Sequence, residues 1–202
     1  MNMLPLKQRG SVMLSLPNLL TYGRIAAVPL VVACLYWHSQ NFMRWAALSL
    51  FIAAAITDYF DGYLARIWGE QSAWGRMLDP IADKLLVAAC LLMLAAIGSI
   101  QSFSLWAALI ILSREILVSG LREFLAELRV SVPVSALAKW KTALQLISMG
   151  FLIAGAAGDE VLPSGWTQII GLVLLWVAAL ITLYTGWDYL KAGIHHIVDE
   201  GS

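Results

Sequence analysis

Four aspartates interrupt otherwise apolar stretches of this chain: Asp58 and Asp61, three residues apart, and Asp79 and Asp83, four apart. Either spacing puts both members of a pair on one helix face. Ionisable groups in such stretches point to function by default, because burying an unpaired charge there is very unfavourable. Four carboxylates brought together repel one another, and some must take up protons unless a cation sits among them. With oxygen donors alone and no His or Cys nearby, the fitting ions are hard ones: Mg²⁺, Mn²⁺ or Ca²⁺. The structural alternative is capping and ion pairing. Asp79 before Pro80 reads as an N-cap followed by proline at the first helical position, and Arg66 and Lys84 are candidates to neutralise two of the acids. Capping does not account for Asp58 and Asp61 one turn apart in an apolar helix. Nor does it account for Gly62, which costs about 1 kcal/mol relative to Ala in a helix. A glycine there, followed by small Ala65, keeps one face open to close approach.

These acids need elements to hold them, and the composition says what kind. The chain has 202 residues, of which 60% are hydrophobic and 13% charged, against about 45–50% apolar and about 25% charged in soluble domains. Lipid must therefore be much of the solvent. A helix needs about 20 mostly apolar residues to cross the hydrocarbon core, and six segments meet that criterion: Pro17–Trp37, Phe42–Ile67, Pro80–Ile97, Leu105–Leu125, Val134–Ala156 and Thr167–Leu190. Short gaps holding Gly, Ser, Asn or Pro separate them. The fold class expected is all-α: one polytopic membrane domain over residues 1–202 with six transmembrane helices. The second and third spans are then antiparallel neighbours, and a short loop lets the two aspartate pairs meet.

Loop charge sets the orientation. One set of ends carries Lys7, Arg9, Arg66, Arg76, Arg122, Arg129, Lys139, Lys141 and Lys191, and the other carries Arg44 with Asp159 and Glu160. Both termini are therefore expected in the cytoplasm, and the acids at the cytoplasmic face. Trp37, Trp45, Trp166 and Trp187 lie near span ends, as interfacial anchors do. His195 and His196 read as cytoplasmic surface residues, and Cys34 and Cys90 as small core residues. Lys7 and Arg9 precede an apolar run with no small-residue cleavage site, so no cleaved signal peptide is expected. The formal net charge is zero, and no nucleic-acid partner is expected.

Asp58, Asp61, Gly62, Ala65, Arg66, Gly75, Asp79 and Asp83, at these spacings, resemble the signature of the CDP-alcohol phosphotransferase family at every fixed position. The segment Pro17-Asn18-Leu19-Leu20-Thr21 with Arg24 resembles the first helix of these enzymes. Ser113-Arg114-Glu115-Ile116, Gly120-Leu121-Arg122-Glu123 and Lys139-Trp140-Lys141-Thr142 with Gln145 resemble the branch that makes phosphatidylglycerophosphate. The similarity runs from about Leu16 to about Gln145.

The resemblance implies a six-helix membrane enzyme, commonly a homodimer, with a polar cavity open to the cytoplasm and two divalent cations, Mg²⁺ or Mn²⁺. It makes Asp58, Asp61, Asp79 and Asp83 the metal ligands and Asp83 also the general base. Asn18, Thr21, Gly62, Ala65, Arg66 and Gly75 would surround CDP-diacylglycerol. The implied reaction transfers its phosphatidyl group to glycerol 3-phosphate and releases CMP, in the inner membrane of the cell. Arg114, Arg122, Lys139 and Lys141 are the candidates to hold the acceptor's phosphate, since a basic clamp suits a phosphorylated alcohol. Inositol phosphate, the acceptor of a phosphatidylinositol phosphate synthase, satisfies the same charge argument. A small cation transporter is the reading from another class. Against it, transporter sites lie near the midplane between paired repeats, and the chain has neither feature.

Overall fold

The computed structural model of the protein describes residues 16–68, 73–127 and 136–199. Regular structure among the described residues is helical throughout: α1 (Leu16–Tyr36), α2 (Asn41–Trp68), α3 (Ala73–Ala96), α4 (Ser104–Glu127), α5 (Ala136–Gly158) and α6 (Trp166–Asp199). Each helix overlies one segment expected from sequence, but α6 runs on past Leu190 to Asp199, and the third helix needs a correction. That helix begins at Ala73 rather than Pro80, so Asp79 and Pro80 lie inside it and Asp79 does not cap it. Proline's fixed φ suits a helix, and the cost inside one is a lost hydrogen bond and local crowding. Membrane helices tolerate this where neighbours re-satisfy the freed backbone groups.

Four of the helices are long and apolar enough to cross a membrane: Asn18–Tyr36, Ser104–Leu125, Trp140–Gly158 and Trp166–Trp187. Their surfaces agree with that reading. On α6, Ile169, Val173, Val177, Leu180, Tyr184 and Trp187 are exposed, whereas Leu175, Ala178, Ala179, Thr182 and Thr185 are buried. Both sets recur every three to four residues, so the helix presents one face to its neighbours and an unbroken apolar face outward. The protein is a multi-pass membrane protein.

The chain forms two compact units, Met1–Met93 and Leu94–Ser202. In the first, α1 packs on α2. Val28, Val31 and Leu35 make the inward stripe of α1, and Ala47, Phe51 and Ala54 that of α2. The helices are joined by a tight turn, and the buried Arg44 near the start of α2 donates from Nε to the carbonyl of the turn residue His38, 2.9 Å away. Arg44, the one basic residue on its side of the sequence-derived topology, thus satisfies a carbonyl at the end of α1. On α3, Ala82, Leu86, Cys90 and Leu94 form the inward stripe. Cys90 is a buried core thiol as expected, and Cys34 is half-buried.

In the second unit α5 and α4 both pack on α6. Small residues let the backbones approach, which is how helices associate where burial from water supplies no drive between them. Ser148 Oγ on α5 donates to the carbonyl of Gly171 on α6 at 2.8 Å. A Cβ at Gly171 would lie 2.8 Å from the side chain of Leu152 and 3.2 Å from its backbone nitrogen. Gly155 breaks the helical path of α5 with φ +45°, a conformation that glycine adopts without strain. In the α5–α6 loop, Asp159 accepts from the backbone N–H of Gly165 (2.9 Å) and of Thr167 (3.3 Å), tying the loop to the start of α6. Bonding first to Gly165 and then to Thr167 holds the Asp159 carboxyl below the usual carboxylate range.

Gly171→Val should lower the thermal midpoint of the detergent-purified protein, because overpacking a close helix contact costs about 1–3 kcal/mol. The analogous change at Gly120, where an added Cβ meets nothing within 4 Å, should leave packing intact and cost only local helix preference. Equal midpoints for the two variants would mean that α5 and α6 do not approach closely at Gly171.

Candidate active site

Three buried polar side chains line one face of α1: Asn18, Thr21 and Arg24. Spaced by three, they extend the same stripe that Val28, Val31 and Leu35 continue deeper in the helix. The acids of α2 and α3 meet this polar end. Arg24 Nη1 donates to Asp58 Oδ1 at 2.6 Å, with the Arg24 side chain 1% exposed and that of Asp58 47% exposed. Thr21 Oγ1 donates to Asp79 Oδ1, also at 2.6 Å. Asp58 and Asp79, far apart in sequence, are thus held by α1 residues one turn apart. Asp83 is half-buried one turn beyond Asp79 on α3, and Gly75 is buried near the start of that helix. The side chains of Asp61, Gly62, Ala65 and Arg66 lie outside the described residues, as does that of Lys139.

Among the described residues Arg24 is a cation that faces Asp58, one that the spacing of the acids alone does not point to; the side chain of Arg66, a candidate from sequence, lies outside the described residues. The available signal was the run of Asn18, Thr21 and Arg24 at intervals of three in an apolar helix. A charge as deeply buried as Arg24 needs a partner, and Asp58 is one.

The donor set can be weighed against a metal. Both described pairings use Oδ1 of an aspartate that α1 orients, and the set offers oxygen ligands alone, which suits hard divalent ions. Among the described residues no three His, Cys, Asp or Glu side chains form a ready cluster, and Asp61 is not among those side chains. The residues fit a hard cation in chemistry. Asp58, Asp61, Asp79 and Asp83 are the ones that would hold it.

A second polar cluster occupies the second unit. Lys141 on α5 is buried and donates from Nζ to Glu115 Oε1 on α4. Arg114 Nη1 lies 3.6 Å from the same oxygen, and Arg114 Nη2 donates to Thr185 Oγ1 on α6 at 3.3 Å. Two of the four expected phosphate-binding cations, Arg114 and Lys141, therefore converge on one carboxylate. Arg122 is exposed on α4, two turns beyond Glu115. Arg114 also lines an apolar groove of about 320 Å³ between α4 and α6, walled by Trp106, Leu109, Leu117, Leu183 and Trp187.

Residues 14–184 match the family model described as CDP-alcohol phosphatidyltransferase. A CDP-diacylglycerol–glycerol-3-phosphate 3-phosphatidyltransferase of Rickettsia bellii is 46% identical over 178 residues, covering 88% of this chain and 94% of the relative. Proteins of the same name from Cereibacter sphaeroides and Shigella flexneri serotype 5b are 37% and 36% identical, each comparison covering 92% of this chain and 98% of the relative.

Proposed function

The chain belongs to the CDP-alcohol phosphatidyltransferase family, and from that premise we propose that it transfers the phosphatidyl group of CDP-diacylglycerol to glycerol 3-phosphate, yielding phosphatidylglycerophosphate and CMP. The observation that carries this reading is its 36–46% identity, over nearly the whole length, to relatives that bear the name of that activity. The site supports it chemically, with acids gathered on the polar face of α1 and two cations, Arg114 and Lys141, gathered on Glu115.

In this reading Asn18, Thr21, Gly62, Ala65, Arg66 and Gly75 surround the cytidine diphosphate head of the lipid substrate. Thr21 and Arg24 also fix Asp79 and Asp58, so those carboxylates are oriented before substrate arrives, which lowers the reorganisation needed during reaction. Two divalent cations held by Asp58, Asp61, Asp79 and Asp83 would neutralise the diphosphate and the charge that builds on departing CMP. Asp83 takes the proton of the attacking glycerol hydroxyl. Its oxygen bonds to the lipid-bearing phosphorus in line with the P–O bond to CMP, which breaks. Arg114, Arg122, Lys139 and Lys141 hold the acceptor's phosphate. Six spans with both termini cytoplasmic, in the inner membrane and in a homodimer, complete the proposal. The lysine and arginine bias of the loops supports the orientation.

The test is CMP release from CDP-diacylglycerol by the purified protein with each acceptor in turn. Release with glycerol 3-phosphate, and background release with inositol phosphate or buffer, is expected. Preference for inositol phosphate would reassign the acceptor, and no release with either would remove the activity.

A further inference from the structure

Among the described residues, three buried side-chain oxygens of the second unit have no hydrogen-bond partner: Thr167 Oγ1 at the start of α6, and Gln145 Oε1 on α5 and Thr182 Oγ1 further along α6. Gln145 is 3% exposed and Thr182 fully buried. An unmet acceptor in such a place costs free energy, so folded proteins keep few of them, and each asks for a reason. Gln145 and Thr182, unlike Thr167, stand beside the cation cluster. Gln145 follows Lys141 by one turn on the same face of α5. Thr182 precedes by one turn Thr185, the residue to which Arg114 donates. Three helices thus bring together two cations, one carboxylate that pairs with both, and two neutral oxygens in need of a donor.

The cations suit a phosphate, and a neutral buried amide oxygen suits a hydroxyl. A small molecule that supplies both is a polyol phosphate. Glycerol 3-phosphate has two hydroxyls: the terminal one attacks, and the middle one takes no part in making or breaking bonds. We propose that Gln145 Oε1 accepts a hydrogen bond from this non-reacting hydroxyl, making Gln145 a specificity-determining residue that selects a polyol phosphate over a simple alcohol phosphate. The inference rests on glycerol 3-phosphate being the acceptor. It also explains why an uncharged residue with an unmet oxygen sits one turn from Lys141: the bond missing in the free protein is made by substrate.

The experiment compares glycerol 3-phosphate with 3-hydroxypropyl phosphate, which keeps the phosphate and the attacking hydroxyl and lacks the middle one. The wild type should prefer glycerol 3-phosphate by about ten- to a hundredfold in kcat/KM, the effect of leaving a buried acceptor unpaired. Gln145→Leu, close in size, should erase most of that preference by losing activity on glycerol 3-phosphate, with the KM for CDP-diacylglycerol unchanged. Its thermal midpoint should be unchanged or higher, because it removes an unmet polar atom from the interior. Gln145→Met, unbranched and of similar length, serves as the second variant and should behave alike. Preference retained in both variants overturns the assignment, as do lowered midpoints in both, which would make Gln145 a structural residue. A wild type that releases no CMP with either acceptor fails earlier, at the acceptor itself.

Discussion

Asp83→Asn should lower turnover by about a hundred- to ten-thousandfold, the range that a positioned general base contributes. That corresponds to roughly 3–5 kcal/mol of transition-state stabilisation. The amide matches the carboxylate in shape, so a half-buried residue one turn beyond Asp79 can be replaced without changing the packing of Ala82 and Leu86, the core positions beside it. What the amide cannot do is accept the hydroxyl proton, and it is also the poorer metal ligand. The measurement is single-turnover CMP release by purified protein whose thermal midpoint matches wild type, with CDP-diacylglycerol binding followed separately. Retained binding with lost turnover supports the assignment. Turnover within about threefold of wild type, far short of the loss expected for a general base, would assign the base elsewhere.

Stripping divalent ions should abolish activity altogether, and adding back Mg²⁺ or Mn²⁺ should restore it. The acids of α2 and α3 offer oxygen donors alone, and Arg24 pairs with Asp58. Carboxylates without a bound cation oppose approach of a diphosphate, so the apoprotein should also bind CDP-diacylglycerol more weakly. Chelation, elemental analysis and readdition, read by both CMP release and lipid binding, make the test. Full activity in metal-free protein would leave the carboxylates with another purpose.

The helices were legible in the sequence because each is a long apolar run, and a bilayer permits few other solutions. The start of α3 was not, since Asp79-Pro80 carries the signal of a helix beginning, and the six helical residues before it include Gly75, a poor helix former. The aspartates announced themselves as charges in apolar surroundings. Their partners did not. Arg24 and Asp58, Thr21 and Asp79, and Lys141 and Glu115 are pairs between different helices, and periodicity along one helix says nothing of which residue faces it from the next. The same holds for Gln145. On sequence it belongs to the branch-like segment that begins at Lys139 but has no role of its own there, and its burial without a partner is what singles it out.

The inward face of α1 changes character once, between Arg24 and Val28. A helix with such a boundary has a single stable height. Sliding it by one turn, about 5 Å, would either carry the Arg24 guanidinium down toward the level of Val28 and Val31 or raise those valines among the carboxylates. Either move separates Arg24 from Asp58. In the proposed reaction the first helix would therefore act as a depth gauge, fixing the level at which the reacting phosphorus is held. The catalyst need not search for that plane at each turnover. On the proposed reading, a lipid that enters sideways would find its head group already level with the acids, with its tails in the bilayer and CMP free to depart into water.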